Sequence, residues 1–175
     1  MNLSEGDIVL KSLVLEDAGS LFALTDKNRS YIRQWLPWVD KTITVEDSKQ
    51  FIQDALNNKN AIHFGIWYEG NFVGVIGYHY IDKANKKGQI GYWLDETTQK
   101  KGIMTKACRL VIAYGFEELN LNRVEISCAT GNEKSCAIPE RLGFQQEGTF
   151  REVEWLNDHF VDHKFYALLR KEWTA

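Results

Sequence analysis

Seven residues, Gln99-Lys100-Lys101-Gly102-Ile103-Met104-Thr105, combine types and spacing suited to holding an anion. They lie between a strand-like run, Ile90 to Leu94, and a helix-like run, Met104 to Leu119. The first turn of a helix has N–H groups with no partner inside the helix, and its dipole favours negative charge. Gly102 lacks a Cβ, so a ligand can approach the main chain closely. Lys100 and Lys101 add positive charge beside it. Strand, basic turn and helix together predict a cradle for a pyrophosphate. The segment is neither Gly-x-x-x-x-Gly-Lys-Ser/Thr nor Gly-x-Gly-x-x-Gly, so it is not a nucleoside-triphosphate or dinucleotide loop of those kinds. A surface turn that merely starts a helix is the bland alternative.

A second cluster runs from Asn132 through Ser135, Cys136, Glu140, Arg141, Leu142 and Gly143 to Phe144. Asn132 and Ser135 both favour helix N-caps, Gly143 suits a helix stop, and Phe144 suits a core aromatic. Cys108, Cys128 and Cys136 are odd in number and lack metal-like spacing, so inert packing in a reducing cytoplasm is the expectation, with no metal site.

The elements that must position these clusters are legible from periodicity. Ile8 to Leu13 reads as an edge strand, and Glu16 to about Asn28 as a helix with Ala18, Leu21, Phe22 and Leu24 inward. Tyr31 to Trp38 reads as a short helix ended by Pro37. Thr44 is the predicted N-cap of a helix whose inner face is Phe51, Ile52, Ala55 and Leu56. Ile62–Tyr68 and Phe72–Ile81 form a hairpin about Glu69-Gly70-Asn71. After the polar turn 82–88 come the strand 89–94, the long helix, the strand Arg123–Ala129, the short helix 132–143, and a second hairpin about Asn157-Asp158. The order β-α-α-β-β-β-α-β-α-β-β predicts one mixed α/β domain, residues 1–175, with a mostly antiparallel twisted central sheet flanked by helices.

The first segment resembles the acetyl-coenzyme A loop of the GCN5-related N-acetyltransferases, Gln/Arg-x-x-Gly-x-Gly/Ala. Gln99 and Gly102 match; Met104 stands where Gly or Ala is usual and Lys100 where many members have Gly. Gly102-Ile103-Met104 is similar to the Gly-Ile/Tyr-Met of the Rim-type branch, which modifies ribosomal protein N-termini. The second cluster resembles that branch's Asn-x-x-Ser…Glu-Arg/Lys-Leu-Gly-Phe, and the element order matches the fold over essentially the whole chain.

The resemblance implies acetyl-CoA as co-substrate, with Gln99, Lys100, Lys101, Gly102, Ile103, Met104, Thr105 and Asn132 at the coenzyme and pantetheine pairing with main chain around Tyr92 and Leu94. It implies an oxyanion donor from main chain near Leu94, Ser135 as stabiliser of the leaving thiolate, and a hairpin glutamate as base. Glu154 lies nineteen residues after Ser135, a spacing like the family's. Glu152, on the same face by strand alternation, and Glu125 are the reserves. His63, His79, His159 and His163 titrate in a suitable range. Trp35 and Trp38 are expected either in the core or a dimer contact, or as the wall of the acceptor groove. A homodimer is the family expectation.

An α-amino group has a pKa of about 7.7–8.0 against about 10.4 for lysine, so a terminal amine needs only a modest base. The expected acceptor is therefore the N-terminus of a ribosomal protein. The alternatives are a small amine (polyamine, amino sugar or antibiotic) and a catalytically silent acetyl-CoA sensor.

With 175 residues, 44% hydrophobic and 26% charged, the chain has ordinary globular composition. A net charge of −3 gives no basic footprint for nucleic acid. No apolar run spans a bilayer and residues 1–6 lack signal-peptide character, so a cytoplasmic protein is expected.

Overall fold

The structure is a computed structural model that describes residues 1–174. Its elements are β1 (Asn2–Glu5), β2 (Ile8–Ser12), α1 (Ala18–Lys27), α2 (Arg29–Ile32), α3 (Val45–Asn57), β3 (Ile62–Tyr68), β4 (Asn71–Asp82), β5 (Lys87–Leu94), α4 (Ile103–Glu117), β6 (Arg123–Ala129), α5 (Glu133–Arg141), β7 (Gln145–Leu156) and β8 (His159–Leu169). The strands form one sheet in the order β1-β2-β3-β4-β5-β6-β8-β7. Every neighbouring pair is antiparallel except β5 and β6, which are joined through α4.

Residue 2-periodicity divides the sheet into two faces. Ile8, Leu10, Phe64, Ile66, Ile76, Tyr78, Ile90, Val124, Ile126 and Tyr166 pack with Ile103, Ala107, Val111 and Phe116 of α4 in the main core. The opposite face carries α1 and α3 over a smaller core of Leu13, Ala18, Leu21, Ile52 and Val75, with Phe72 and Trp93 against it. Chain turns follow local chemistry. Glu69 and Gly70 both have positive φ, 49° and 80°, as a two-residue hairpin turn requires. Thr44 and Asp47 form a capping box on α3, and bonds from Ile43, Thr44 and the Thr44 hydroxyl hold the Asp47 carboxyl below its ordinary range.

Four expectations need correction. β2 is not an edge, because β1 pairs along it; Asn2–Glu5 is too short and polar to carry a periodic signal. The Tyr31–Trp38 helix stops at Ile32, and Pro37 opens a 3₁₀ turn through Lys41 instead of closing a helix, as suits proline at a first helical position. Phe51 and Leu56 are exposed, at 41% and 55%, and the inward positions of α3 are Ser48 and Ile52. Glu152 leaves the alternation because three β7 residues, 151–153, bulge out between the pairs Phe150↔His163 and Glu154↔Val161.

Helix α4 approaches the sheet closely at Gly115. A Cβ there would lie 2.0 Å from the Tyr78 hydroxyl, which itself donates to the Val111 carbonyl. Gly115→Ala should therefore destabilise by about 1–3 kcal/mol through overpacking. Thermal melting that matches the parent would show that α4 can shift without penalty.

Candidate active site

The site begins where β5 leaves β6. Their parallel ladder covers only Lys87↔Arg123, Gly88↔Val124 and Gln89↔Glu125. Beyond it, Ile90–Leu94 and Ile126–Ala129 both line a cavity of about 1240 Å³. Main-chain groups along those facing edges lack ladder partners, and buried main chain requires them. A bulge in β4 at His79, between the pairs Tyr78↔Ile90 and Tyr80↔Gln89, sits at the level of the divergence.

At one end of the opening lies the predicted cradle. Gly102 is the N-cap of α4 at φ 75°, with no side chain capping the helix. A Cβ at Gly102 would meet nothing within 4 Å, so the approach is open. Lys100 is also left-handed at φ 63°, so two of the three residues before α4 have positive φ. Gln99 is held by the Tyr31 hydroxyl and by Lys134 Nζ at 3.2 Å. The Arg141 guanidinium donates to Thr105 Oγ1 at 2.9 Å. Gln99, Lys100, Gly102, Ile103, Met104, Thr105, Lys134 and Arg141 all line the cavity. Ile103 is 1% exposed, so its main chain faces any ligand while its side chain belongs to the core. Lys101 turns away: its ammonium lies 5.1 Å from the centre of the Tyr68 ring and is not part of the lining. The cradle's cations are therefore Lys100, Lys134 and Arg141.

The strand before the cradle is tied to α1. Asp95, 4% exposed, accepts from Lys27 Nζ at 2.7 Å and from Thr97. Burial raises its carboxyl, but the Lys27 and Thr97 bonds outweigh that and hold it below the ordinary range. Asn28 accepts from the Glu96 main chain at 3.0 Å. These contacts fix where the turn emerges from β5.

On the α4 face, Asn132 caps α5, its Oδ1 accepting from Ser135 N at 3.2 Å. The cap thereby sets Ser135 beside β5. The Tyr92 hydroxyl donates to the Ser135 carbonyl at 3.0 Å, and Ser135 Oγ lies 3.4 Å from both the Tyr92 oxygen and Cys128 Sγ. Burial, then the nearby thiols, push Tyr92 well above the ordinary phenol range. Burial likewise lifts Cys128 to about 12. Both stay protonated near neutrality. Cys136 is 3% exposed with its sulfur toward the Ala129 carbonyl, which fits packing.

The opposite face holds the carboxylate. Ser127, His163 and Glu154 share it by alternation, since Ile126, Cys128 and Tyr166 belong to the α4 core. Glu154 lines the cavity and lies 2.8 Å from His163 Nε2. Neither reserve fits. Glu152 is exposed at φ 51°, and Glu125 is buried against Arg123 and Lys87, outside the lining. Trp35 packs against Gly131, and Trp38 lies 6.1 Å from Trp93; both line the cavity. His63 and His79 line the arm beneath α3, and burial with the His79 charge lowers His63 to about 4. His159 is exposed and pairs with Asp158.

Lys134, Arg141 and Ser127 have no role assigned from the sequence, and His163 is one of four histidines of suitable titration range with nothing to single it out. The first two lie within the Asn132–Phe144 motif, where their charge was a usable signal. Nothing local marks the others, because their placement depends on strand register.

A family model described as an acetyltransferase (GNAT) domain matches residues 7–145. The chain belongs to the GNAT acetyltransferase family. Over 172 residues it is 38% identical to a Bacillus subtilis protein provisionally named a ribosomal N-acetyltransferase, YdaF, covering 96% of this chain and 94% of that one. It is 34% identical over 150 residues to the ribosomal-protein-serine acetyltransferase of Escherichia coli, covering 84% of each. The solved structure of the ribosomal L7/L12 alpha-N-protein acetyltransferase RimL with coenzyme A superposes with a TM-score of 0.93 at 25% identity, covering 97% of this chain and 98% of that one. The microcin C7 self-immunity acetyltransferase MccE, solved with acetyl-CoA and AMP, gives 0.89 at 30% identity over 94% and 93%. This GNAT enzyme is an acetyltransferase that takes its acetyl group from acetyl-CoA. Among the described residues, no three His, Cys, Asp or Glu side chains are grouped to hold a metal ion, and no helix is long and apolar enough to cross a membrane.

Gly102→Glu would place a carboxylate at the anion cradle and a side chain at positive φ. Calorimetry should show acetyl-CoA affinity weakened at least about tenfold, roughly 1.4 kcal/mol. Unchanged affinity would refute the assignment of the cradle.

Proposed function

We propose that this enzyme acetylates the N-terminal α-amino group of a protein, a ribosomal protein of the cytoplasm, by direct attack of the amine on bound acetyl-CoA. The observation that carries this reading is the two-sided opening in the sheet. Hydroxyl donors Ser135 and Tyr92 lie on the α4 face, while Glu154 lies on the opposite face.

The α4 turn, with Lys100, Lys134 and Arg141, binds the coenzyme's pyrophosphate. The free edges of β5 around Tyr92 and Leu94 pair with the amide-bearing arm that follows, as an added strand would. Main chain near Leu94 donates to the oxyanion of the tetrahedral intermediate. Ser135 donates a hydrogen bond to the departing thiolate, and Tyr92, donating to the Ser135 carbonyl, holds that serine in place. Glu154 takes the proton of the attacking amine from the other side, directly or through a water. The amine approaches along the arm walled by Trp35 and Trp38. A silent sensor would have no use for groups disposed on both faces of the opening.

A terminal amine suits a modest base such as a carboxylate. The whole-length relatives named for ribosomal-protein acetylation support the protein acceptor. The second reading, a small-amine acceptor, rests on the 30% identity to a self-immunity acetyltransferase solved with AMP as well as acetyl-CoA, below the 34% to the ribosomal-protein-serine acetyltransferase.

Glu154→Gln should lower kcat about 10²-fold or more, the usual scale for a general base. Ser135→Ala should cost less than Glu154→Gln, and Tyr92→Phe, which loses the bond to the Ser135 carbonyl, less still. Undiminished turnover in all three variants would remove the mechanism. Acceptor identity is decided by assaying the protein with acetyl-CoA against peptides of ribosomal N-termini and a panel of small amines. Peptides should be preferred at matched concentration; preference for a small amine overturns the acceptor assignment.

A further inference from the structure

The chemistry above leaves His163 and Ser127 without a role, although both line the cavity. Ser127 Oγ lies 2.9 Å from His163 Nδ1, and His163 Nε2 lies 2.8 Å from Glu154 Oε2. The three side chains come from three strands, β6, β8 and β7, so no local sequence rule requires their meeting. The His163 side chain is 17% exposed and that of Glu154 33%, which leaves the glutamate as the more open end of the chain.

Hydrogen-bond bookkeeping sets the tautomer. An ionised carboxylate oxygen only accepts, so Nε2 carries the imidazole proton. Nδ1 then has a lone pair, and the Ser127 hydroxyl donates to it. Glu154 Oε2 is thereby occupied, and Oε1 is the oxygen left for the cavity. The β7 bulge serves the same end. Glu152 N donates to Asp162 Oδ1 at 2.8 Å, holding the out-looped residues while Glu154 returns to register opposite Val161.

We infer that His163 is a positioning residue for acetyl transfer: its ring held by Ser127 and its tautomer set by the carboxylate, it pins Glu154 Oε2 and presents Oε1 to the acceptor amine. This rests on Glu154 as the proton acceptor. In the step it serves, the amine nitrogen forms the new C–N bond and the thioester C–S bond breaks. The proton leaving nitrogen goes to Glu154 Oε1, and the thiolate, hydrogen-bonded to Ser135, takes a proton from solvent. A glutamate with no such partner on an open cavity wall would sample several rotamers. His163 removes that freedom before the amine arrives.

Steady-state kinetics on the full chain test this, using acetyl-CoA and the acceptor selected by the panel described above. His163→Leu should lower kcat about tenfold or more with KM for acetyl-CoA unchanged. His163→Gln, whose amide can offer an N–H toward Glu154, should regain most of that loss, and Ser127→Ala should fall between the two. In a Glu154→Gln background His163→Leu should cost less than about twofold, because the two side chains act as one unit. Near-ultraviolet circular dichroism on each variant confirms that it is folded. The inference is overturned if His163→Leu keeps the parent kcat, if His163→Gln is no better than His163→Leu, or if the losses multiply independently. Full activity in Glu154→Gln would instead defeat the underlying assignment of the base.

Discussion

Ladder pairing between β5 and β6 ends after three residue pairs, and the enzyme is organised around that interruption. A sheet interior normally saturates its main-chain donors and acceptors, so a gap in its middle is a strong local demand for a ligand that can pair like a strand. The parallel pair can open in this way without unravelling the rest. β5 remains fully laddered to β4, and β6 to β8, so each edge of the gap is held from outside. The opening reaches both faces of the sheet, and strand alternation then sorts the chemistry. Even-numbered positions of β5 and β6, such as Tyr92 and Cys128, face α4 and α5. Ser127 and Trp93 face the side of α1 and α3.

Charge placement follows the same geometry. An uncapped helix start, two left-handed residues and three cations gather at one end of the gap, where a diphosphate would need them. The Lys27–Asp95 pair and Asn28 hold the strand end that feeds this turn, so α1 and its C-cap fix the turn's position. At the far side the only carboxylate that both faces the opening and has an ordered partner is Glu154, among the groups considered as base. In the mechanism proposed above, that separation lets the amine and the thioester approach from opposite sides of the sheet.

Much of this was legible beforehand. The strand–turn–helix at Gln99–Thr105, the Asn132–Ser135 cap and the two hairpins are local features, set by dihedral preference and capping chemistry within a few residues. Their recognition needs no knowledge of distant packing. The misread positions are those where something remote intervenes. Phe51 and Leu56 satisfy helical periodicity, but Phe51 lines an open cavity and Leu56 is exposed, so apolar character did not mean burial. Lys101 is adjacent to the cradle in sequence, yet φ 63° at Lys100 turns it toward the Tyr68 ring.

What the sequence determined by itself is the family fold, the anion-binding turn and the pairing of Ser135 with Glu154 as candidates, because each is written in short motifs or their spacing. Tertiary structure decided which side of the sheet each group occupies, that Glu154 lines the opening while Glu152 and Glu125 do not, and that Tyr92 lies beside Ser135 and His163 beside Glu154. Those outcomes depend on where β5 and β6 separate and on a bulge that shifts one strand against another. Register is a property of paired strands, and a single strand read alone does not contain it.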